Sequence, residues 1–405
     1  MHILVLDTVH GGNEIGAAYR EAGHVVDVVD VYTGTTPVLL SEAGRKAYDR
    51  IVSPVHLDPD HPLPGPRDIP VITHHEAVRQ LLADKLPVPM IEITGARGKT
   101  TTAHALAHIL IGKGVLHTST GTYSYPEKTL LWKRSITPAS VIPAVRYAIN
   151  MPGWLVAEES LGVTGAGDLA IITSPDDYSF ACGKKYALQT KTASVKHARQ
   201  VLVAENIVVR TENVVHLGDI ASCEKMECTL EFEGMKFVLS NPLFSLPSYR
   251  TPLMLAGAAA MMLHVNPMPL SYFTALPGRM SVSHEGDLII IDNANSGTDA
   301  TTTLSAARYA RSCTGTSELT LVIGQVEGDG AVCEGFSFDQ ILCAINNVQP
   351  THIVWVGKYP VPGSEAYQAL AGIVDAHCVT LEEARRTAVQ KTGRGSIVLS
   401  VKTWR

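Results

Sequence analysis

Several signals that would place the chain in a special class of protein are scarce or missing. Charged residues make up only 18% of the 405 residues, and 33 Lys and Arg against 39 Asp and Glu give a net charge of −6. The sequence has no basic tract, so we expect no nucleic-acid partner, because binding a phosphate backbone needs clustered Lys and Arg. It also has no apolar run approaching the roughly 20 residues that cross a bilayer, so we expect no membrane partner.

Cysteine patterns of metal or disulfide sites are missing as well. The seven cysteines are scattered, no CxxC pair occurs, and the two nearest neighbours are Cys223 and Cys228. This spacing predicts buried, reduced thiols in a cytoplasmic protein rather than a zinc site or a disulfide framework. The N-terminal MHILVLD begins a strand directly and lacks the basic and apolar regions of a signal peptide, which also favours the cytoplasm.

What the sequence does contain is an alternation of apolar strands and helices in three segments, which predicts an α/β protein. The predicted domains are a small one over 1–86, a central one over 87–277 and a C-terminal one over 278–405, the last with a mostly parallel sheet. In the central segment we expect a long helix between about Ala181 and Ala204. MECTLEFEGMKFVLS alternates apolar and polar residues around Glu233-Gly234, which predicts a hairpin.

The stretch IEITGARGKTTTAHALAHIL at 91–110 has the pattern of a buried strand, a glycine turn and a helix. Gly95, Gly98, Lys99 and Thr100 form G-x-x-G-K-T, two residues shorter than the common phosphate loop. The glycines let backbone N–H groups face an anion, and the helix adds its positive end. Lys99 can reach the β- and γ-phosphates, and Thr100 can bind the Mg²⁺ that bridges them. A coincidental glycine turn is disfavoured by the apolar strand before it.

The loop TGARGKTTT resembles the TG-x-x-GKTTT loop of the Mur ligase superfamily, and the resemblance covers most of residues 90–300. Those enzymes use ATP to activate a carboxylate as an acyl phosphate, which a nucleophile then attacks. The resemblance implies ATP and Mg²⁺ as cofactors, with a substrate domain, an ATP-binding P-loop domain and a Rossmann-like C-terminal lid in that order. The loop residues implied to bind the nucleotide are Thr94, Gly95, Ala96, Arg97, Gly98, Lys99, Thr100 and Thr101.

Two acidic stretches extend the resemblance. WLVAEESL is similar to the family's strand ending in Glu-x-Ser, with Glu158 at the Mg²⁺ ligand and Glu159 at a variable position. Adjacent strand residues point to opposite faces, so only one of them readily faces the nucleotide; two solvated glutamates are the alternative. In IITSPDDYSF, Asp177 replaces a family His, and Mg²⁺ accepts a carboxylate oxygen. The implied metal ligands are Thr100, Glu158 and Asp177.

A lysine on the helix after this stretch carries a carbamate in many family members. Lys196 matches best, because KHAR…AEN resembles the family's K-x-R-x-x-x-EN run, and Lys191 is the second choice. A carbamate needs a neutral, partly desolvated amine. The alternative for both residues is an exposed lysine on a solvated helix.

The C-terminal segment supplies the remaining implied residues. PGRM places Arg279 where the family directs an arginine to the nucleotide, and IIIDNANSGT resembles the family's D-x-x-A-x-N/H run. Asp292 and Asn295 are hydrogen-bonding types that suit a ribose, although an Asx turn is the alternative. The implied catalytic residues are Lys99, Glu158, Lys196 and Arg279.

The shared motifs leave the acceptor open. The first segment, LDTVHGGNEIGAAYREAGHVVDVVDVYTG, is most similar to a branch of the superfamily that closes a carbocyclic ring on a nickel tetrapyrrole. That resemblance implies a nickel tetrapyrrole carboxylic acid as the small-molecule substrate and a carbon nucleophile. The alternatives are an amide-forming ligase that uses an amino acid, and a nucleotide-binding module without catalysis. Lys99, Thr100 and Glu158 disfavour the last of these.

The turn after the first strand is a candidate substrate contact. His10, Gly11, Gly12 and Asn13 lie where ligands bind in an open α/β sheet. One hypothesis is that this turn contacts the macrocycle or its carboxylates. The other, of equal weight, is a plain strand-to-helix turn capped by Asn13.

Overall fold

The computed structural model describes residues 1–32, 40–63, 69–83, 85–326 and 336–403. By its internal contacts the chain divides into two compact units, Met1–Phe273 and Thr274–Arg405. Strands and helices alternate in both units, which confirms the predicted α/β class. The boundary predicted at 86/87 lies inside the first unit, so the three domain ranges remain predictions.

The first sheet is small and entirely parallel, with the strand order β2-β1-β3-β4. Its central strand is almost completely buried, as expected for a parallel strand covered on both faces. Its carboxyl edge carries the turns after β1 and β3 and the start of the last helix. The elements are β1 His2–Leu6, α1 Gly12–Glu21, β2 Val25–Val29, α2 Leu40–Ala43, β3 Arg50–Ser53, β4 Val71–Thr73 and α3 His74–Leu82.

The second sheet has eight strands in the order β14-β13-β10-β5-β9-β6-β7-β8, of which only β7 runs opposite to the others, so that it pairs antiparallel with both β6 and β8. β5, β9 and β10 at its centre are wholly buried. Its elements are β5 Met90–Thr94, α4 Lys99–Ile109, β6 Gly114–Thr118, β7 Gly121–Tyr125, β8 Thr129–Trp132, α5 Pro138–Asn150, β9 Trp154–Glu158, β10 Leu169–Ile172, β11 Ser179–Phe180, β12 Lys185–Tyr186, α6 Ala187–Ser194, β13 Gln200–Val203, β14 Val214–His216 and α7 Leu217–Ile220.

Two expectations for this region have different outcomes. The long helix between Ala181 and Ala204 is wrong: α6 has eight residues and is followed by a 3-10 turn over Val195–His197 and then by β13. The apolar pair Val201-Leu202 forms buried sheet instead, because it pairs with β10. The hairpin around Glu233-Gly234 is confirmed. The remaining elements of the unit are β15 Ala221–Glu224, β16 Glu227–Phe232, β17 Met235–Ser240 and α8 Pro247–Met262.

The four-stranded and the eight-stranded sheets of the first unit share one hydrophobic core. Ile15 of α1 and Val78 of α3 pack in the same buried cluster as Val141 and Val145 of α5 and Leu155 of β9. Helices of the small sheet therefore cover a helix of the large one. This packing explains why the first 273 residues form one compact unit even though they contain separate sheets.

The second unit has a six-stranded sheet in the order β18-β19-β23-β20-β21-β22, parallel except for the edge strand β18. This confirms the predicted, mostly parallel sheet. Asp299 begins α9 with a reciprocal capping box to Thr302. The elements are β18 Ser281–Glu285, β19 Leu288–Asp292, α9 Ala300–Thr314, β20 Leu319–Gln325, α10 Phe338–Val348, β21 His352–Gly357, α11 Glu365–Leu370, β22 Ala376–Cys378, α12 Leu381–Lys391 and β23 Ser396–Lys402.

Two predictions from the opening composition can be compared with the described residues. Every cysteine among them is a free thiol, but Cys182, Cys313 and Cys343 are exposed, so the prediction of buried thiols is correct only for Cys228 and Cys378. Within the described ranges, none of the helices combines the length and the apolar character that crossing a membrane requires.

Candidate active site

The phosphate loop joins β5 to α4, and its two glycines are required by its shape. Gly95 has a φ of 149°, and a Cβ there would lie 2.1 Å from Thr173 Oγ1. Gly98, which caps α4, has a φ of 84°. L side chains rarely adopt either conformation. The loop thus leaves its backbone N–H groups and the helix end uncovered by side chains, as an anion site needs.

The neighbouring strand end fixes this loop. Thr173, just after β10, donates its N–H to the carbonyl of Thr94 at 2.9 Å and its hydroxyl to the carbonyl of Arg97. The N–H of Arg97 donates to Ser174 Oγ at 3.2 Å, while the Arg97 side chain is exposed. A phosphate cradle held at both ends loses little entropy on binding, which is preorganisation for the ligand.

Lys99, Thr100 and Glu158 lie together, as predicted. Thr100 Oγ1 donates to Glu158 Oε2 at 2.9 Å, and the N–H of Ser119 donates to the same oxygen at 3.1 Å. Lys99 Nζ lies 3.8 Å from Glu158 Oε1 and donates to the carbonyl of Gly95 at 3.1 Å. A hydroxyl and a carboxylate that already touch, beside a phosphate loop, fit the oxygen ligands that Mg²⁺ prefers, with phosphate oxygens and water completing its shell. Among the described residues, no group of three or more His, Cys, Asp or Glu side chains is placed to hold a metal.

Glu159 points to the other face, as strand geometry requires. It is fully buried, and burial together with the neighbouring Glu92 raises its pKa well above the usual value. Glu92 accepts hydrogen bonds from the N–H groups of Gly165 and Gly167 at 3.1 and 2.8 Å. Of the two glutamates, Glu158 is therefore the one that faces Thr100 and Lys99.

A second lysine lies beside the loop, and it is not the one that the sequence favours. Lys191 on α6 is completely buried, and its Nζ lies 4.7 Å from the centre of the Tyr178 ring. Burial, followed by the positive charge of Lys99, lowers its pKa to about 8, while Asp176 and Asp177 oppose the shift. Lys99 is therefore near enough to repel the positive charge of Lys191, and the Lys191 amine loses its proton more readily than an exposed lysine does.

Lys196, the better match by spacing, is exposed on the 3-10 turn after α6. On the single long helix expected there, the Lys196 side chain would have had a different orientation from the one it has on the 3-10 turn. Asp177 lies at the other end of α6, where its Oδ1 accepts the N–H groups of Tyr178 and Leu188 at 2.9 and 2.8 Å. One carboxylate oxygen of Asp177 thus orders the start of the lysine-bearing helix, a use that the sequence pattern does not reveal.

The remaining predicted residues lie in the second unit. Asn295 uses its side chain within a turn: Nδ2 donates to the carbonyl of Gly278 at 2.7 Å, and Oδ1 accepts the N–H of Gly297 at 2.8 Å. Asp292 accepts the N–H of Ala294 at 3.0 Å. These are the Asx-turn contacts of the alternative hypothesis. Nucleotide binding by Arg279, Asp292 and Asn295 remains a prediction from resemblance.

The turn after β1 is a strand-to-helix turn, but the predicted cap by Asn13 is wrong, and contact with a substrate remains a prediction. Gly11, at φ 94°, occupies the cap position of α1, and Asn13 is exposed and does not cap. Instead Asp7, which is completely buried, holds the turn by accepting the N–H groups of Val9 and His10 at 2.6 and 3.1 Å. The sequence argument did not single out Asp7. The signal available was an Asp and a His three residues apart at a strand end.

Known proteins match both the sequence and this geometry. Residues 282–403 match the family model described as Coenzyme F430 synthetase CfbE, C-terminal domain. The chain is 29% identical to the coenzyme F(430) synthetase of Methanosarcina acetivorans, over 100% of this chain and 98% of that protein.

Two solved structures show the same fold. A bifunctional folylpolyglutamate synthase/dihydrofolate synthase with Mn, AMPPNP and L-glutamate bound superimposes with a TM-score of 0.59, at 14% identity, over 81% of this chain and 90% of that one. MurF from Acinetobacter baumannii gives a TM-score of 0.57, at 15% identity, over 88% of each chain. The chain thus has the fold of these Mur ligase-like structures and is similar in sequence, over its full length, to a coenzyme F(430) synthetase.

Proposed function

We propose that this chain is an ATP-dependent ligase that closes the carbocyclic ring of the nickel tetrapyrrole seco-F-430 acid, with release of ADP and phosphate. The observation that carries the proposal is the end-to-end match to a coenzyme F(430) synthetase. It is supported by Lys99, Thr100 and Glu158 at one sheet edge, the groups that acyl phosphate formation needs. We expect the reaction in the cytoplasm, where ATP is supplied.

Activation brings a carboxylate against the γ-phosphate, so positive charge carries most of the catalysis. Lys99 now contacts the Gly95 carbonyl and the Glu158 carboxylate, and on nucleotide binding its ammonium turns to the β- and γ-phosphates. Thr100 and Glu158 are the proposed ligands of Mg²⁺, which supplies further positive charge where the two anions meet.

We assign the carbamate-bearing position to Lys191 rather than Lys196. A carbamate forms on a neutral amine, and a pKa of about 8 gives Lys191 a substantial neutral fraction near pH 7.5. The carbamate would replace a buried cation by an anion next to Lys99, which removes a repulsion and gains an attraction. Lys196 is solvated and has no such gain. Asp177 keeps one carboxylate oxygen beyond its helix-capping contacts as the proposed metal ligand.

The test offers the purified chain Mg-ATP with nickel seco-F-430 acid, and separately Mg-ATP with amino acids and the same acid. We expect ADP release with the tetrapyrrole alone and a product lighter by one water. Acyl phosphate formed on the way is trapped by hydroxylamine as a hydroxamate. ADP release only when an amino acid is present would instead identify an amide-forming Mur-type ligase and would reject ring closure.

A further inference from the structure

A second cluster of polar and aromatic side chains lies at the carboxyl edge of the first sheet. All four strands of this sheet are parallel, so their ends meet at one edge. The residues that follow the strands include Asp7 after β1, Tyr32 after β2, His56 after β3 and His74 at the end of β4. His10, three residues beyond Asp7, joins them.

His10 and Asp7 form an oriented pair. His10 Nδ1 lies 2.6 Å from Oδ2 of Asp7, whose carboxylate is completely buried. In the tautomer in which Nδ1 donates to this carboxylate, Nε2 keeps its lone pair, as in other His–Asp pairs. Asp7 is itself held in a rare conformation, with a φ of 87°, and its N–H donates to the carbonyl of Val29 at 2.7 Å. Non-glycine residues with such a φ concentrate at functional sites.

Two further rings determine the position of the His10 imidazole. The His56 ring stacks on it with centres 4.4 Å apart and planes 12° apart, and the Tyr32 ring meets its edge at 5.4 Å. Burial, with the nearby His10 as the next cause, lowers the pKa of His56 to about 4, so the stacked ring is neutral. Burial also raises the pKa of Tyr32, which keeps its phenol protonated. His10 therefore packs against two uncharged rings and one carboxylate.

The cluster adjoins the candidate active site from two sides. The turn that carries His10 packs on the start of α5, where a Cβ on Gly11 would lie 2.3 Å from Ala139 Cβ. Just before α5, the carbonyl of Ile136 accepts the N–H of Ser160 at 2.8 Å, and Ser160 is two residues beyond Glu158.

On the other side, the His56 ring lies 6.2 Å from that of Phe180. Phe180 belongs to the segment that joins Asp177 to the helix of Lys191. Val55, next to His56, packs with Leu161 and Ala187 in one buried cluster. The segment that leads to the buried lysine therefore contacts the His10 cluster directly, and the segment of Glu158 is linked to it through the start of α5.

Ring closure by a carbon nucleophile requires a base that removes a proton from carbon, whereas amide formation does not. The attacking carbon carries a proton, and its C–H electron pair becomes the new bond to the acyl carbon. At the same time the C–O bond between the acyl carbon and phosphate breaks, and phosphate leaves with the electron pair of this C–O bond. The proton must go to a base, because a carbon acid does not lose it unaided at neutral pH. Lys99 and Glu158 already serve phosphate and metal in the proposed function, and Glu159 points to the other face of its strand.

We propose that His10 Nε2 is the general base that takes this proton, with Asp7 as the positioning residue behind it. This role rests on the proposed ring closure of seco-F-430 acid. His56 stacks on the His10 ring and Tyr32 meets its edge, which holds the imidazole in place, while the protonated His10 later returns its proton to solvent. The site thus takes a C–H acid of the macrocycle, held at the carboxyl edge of the first sheet.

The test separates activation from closure with His10→Gln. Gln keeps polar atoms at the site but cannot act as a base near neutral pH. With Mg-ATP and nickel seco-F-430 acid, we expect hydroxamate trapping within about threefold of wild type and ring closure slower by about 10²–10⁴-fold. In D₂O without ATP, the wild type should introduce deuterium at the attacking carbon, and the variant should not. Asp7→Asn should give a smaller loss of closure, because the tautomer of His10 is no longer fixed.

The matched control is His24→Gln, because His24 immediately precedes β2 and so lies at the opposite edge of the same sheet; it should match wild type in both assays. Circular dichroism and thermal melting establish that each variant is folded. Hydroxamate and closure lost together in folded His10→Gln would show that His10 holds the substrate or its nickel, and would overturn the base. Unchanged closure would overturn it as well. A wild type that yields no hydroxamate would instead reject the proposed function.

Discussion

The carboxyl edges of the two parallel sheets in the first unit are built in opposite ways. At the large sheet, a contiguous loop from Thr94 to Thr101 makes the phosphate cradle, with Glu158 added from the next strand. At the small sheet, no motif exists: Asp7, Tyr32 and His56 come from three different strand ends. Most residues of the first site are therefore consecutive in the sequence, whereas those of the second are far apart in the sequence and are brought together by the order of the strands.

The chemistry of the two edges differs in the same sense. The large edge presents N–H groups and the ammonium of Lys99, which suits the repeated task of holding phosphate. The small edge presents the neutral imidazoles of His56 and His74 and the buried carboxylates of Asp7 and Asp30, which suits a task specific to one substrate.

The largest expected effect tests the large edge. Lys99→Ala should lower ADP formation by more than about 10³-fold, because the ammonium offsets charge on the transferred phosphate. The fold should persist, since Glu158 keeps its hydrogen bonds from Thr100 and Ser119 when its contact with Lys99 is lost. Coupled-enzyme detection of ADP measures the loss. Lys113→Ala, an exposed lysine just beyond the end of α4, is the control, and an active Lys99 variant would remove the loop from its proposed role.

The second effect separates the two lysines of the α6 region. Lys191→Ala should lower turnover by about 10²-fold, and acetate should restore part of it by supplying a carboxylate in the space left. Lys196→Ala should stay within about twofold of wild type, because its side chain is exposed and makes no contact with the loop. Turnover with and without bicarbonate measures the carbamate. Loss of activity in Lys196→Ala alone would restore the assignment made from spacing.

These two lysines show which features of the structure could be predicted from the sequence and which could not. The strand–loop–helix at 91–110, the hairpin at Glu233-Gly234 and the C-terminal parallel sheet were predictable, because each depends on residues near one another in the chain. The choice of Lys191 over Lys196 was not, because α6 ends at Ser194 and leaves Lys196 exposed on the turn that follows. The sequence between Ala187 and Val203 is apolar enough for either a helix or a strand, and pairing with β10 decided the outcome.

The small edge was less predictable still. His10 could be named from its place after the first strand, but the partners that orient it lie at positions 7, 32 and 56. Only the parallel order of the strands brings them together. In the same way, the use of Asn295 within its own turn depends on the carbonyl of Gly278, which no motif in that stretch includes.

The third effect tests whether the large edge depends on backbone shape. Gly95→Ala should cost about 3 kcal/mol of folding free energy and most nucleotide binding, because its Cβ meets Thr173 Oγ1 at 2.1 Å in a left-handed conformation. Gly112→Ala is the matched control: its φ of 84° is also positive, but no atom lies within 4 Å of the added Cβ. Urea unfolding and calorimetric titration of ADP measure the two losses. Equal losses in both variants would mean that φ alone, and not the close packing of the loop, sets the effect.

The smallest effect concerns acid sensitivity of the small edge. Burial lowers the pKa of His74 and His75 to about 4 from an ordinary value of 6.5, and His56 behaves alike. Between these values the unfolded chain binds protons that the folded chain does not, so stability falls as the pH falls through this window. Each histidine should contribute about 2 kcal/mol of this loss between pH 7 and pH 5.

His75→Gln isolates one of these contributions. Its Nε2 contacts the carbonyl of Ser160 at 3.1 Å, and a glutamine amide can donate the same hydrogen bond without titrating. The free energy of unfolding of the variant, measured in urea from pH 7 to pH 5, should fall less steeply than that of wild type. His24→Gln should leave the slope unchanged. If His75→Gln does not flatten the dependence of the free energy of unfolding on pH, carboxylates cause the loss of stability in acid. The contrast between the buried imidazoles of the small edge and the ion pair of the large edge would then not extend to stability.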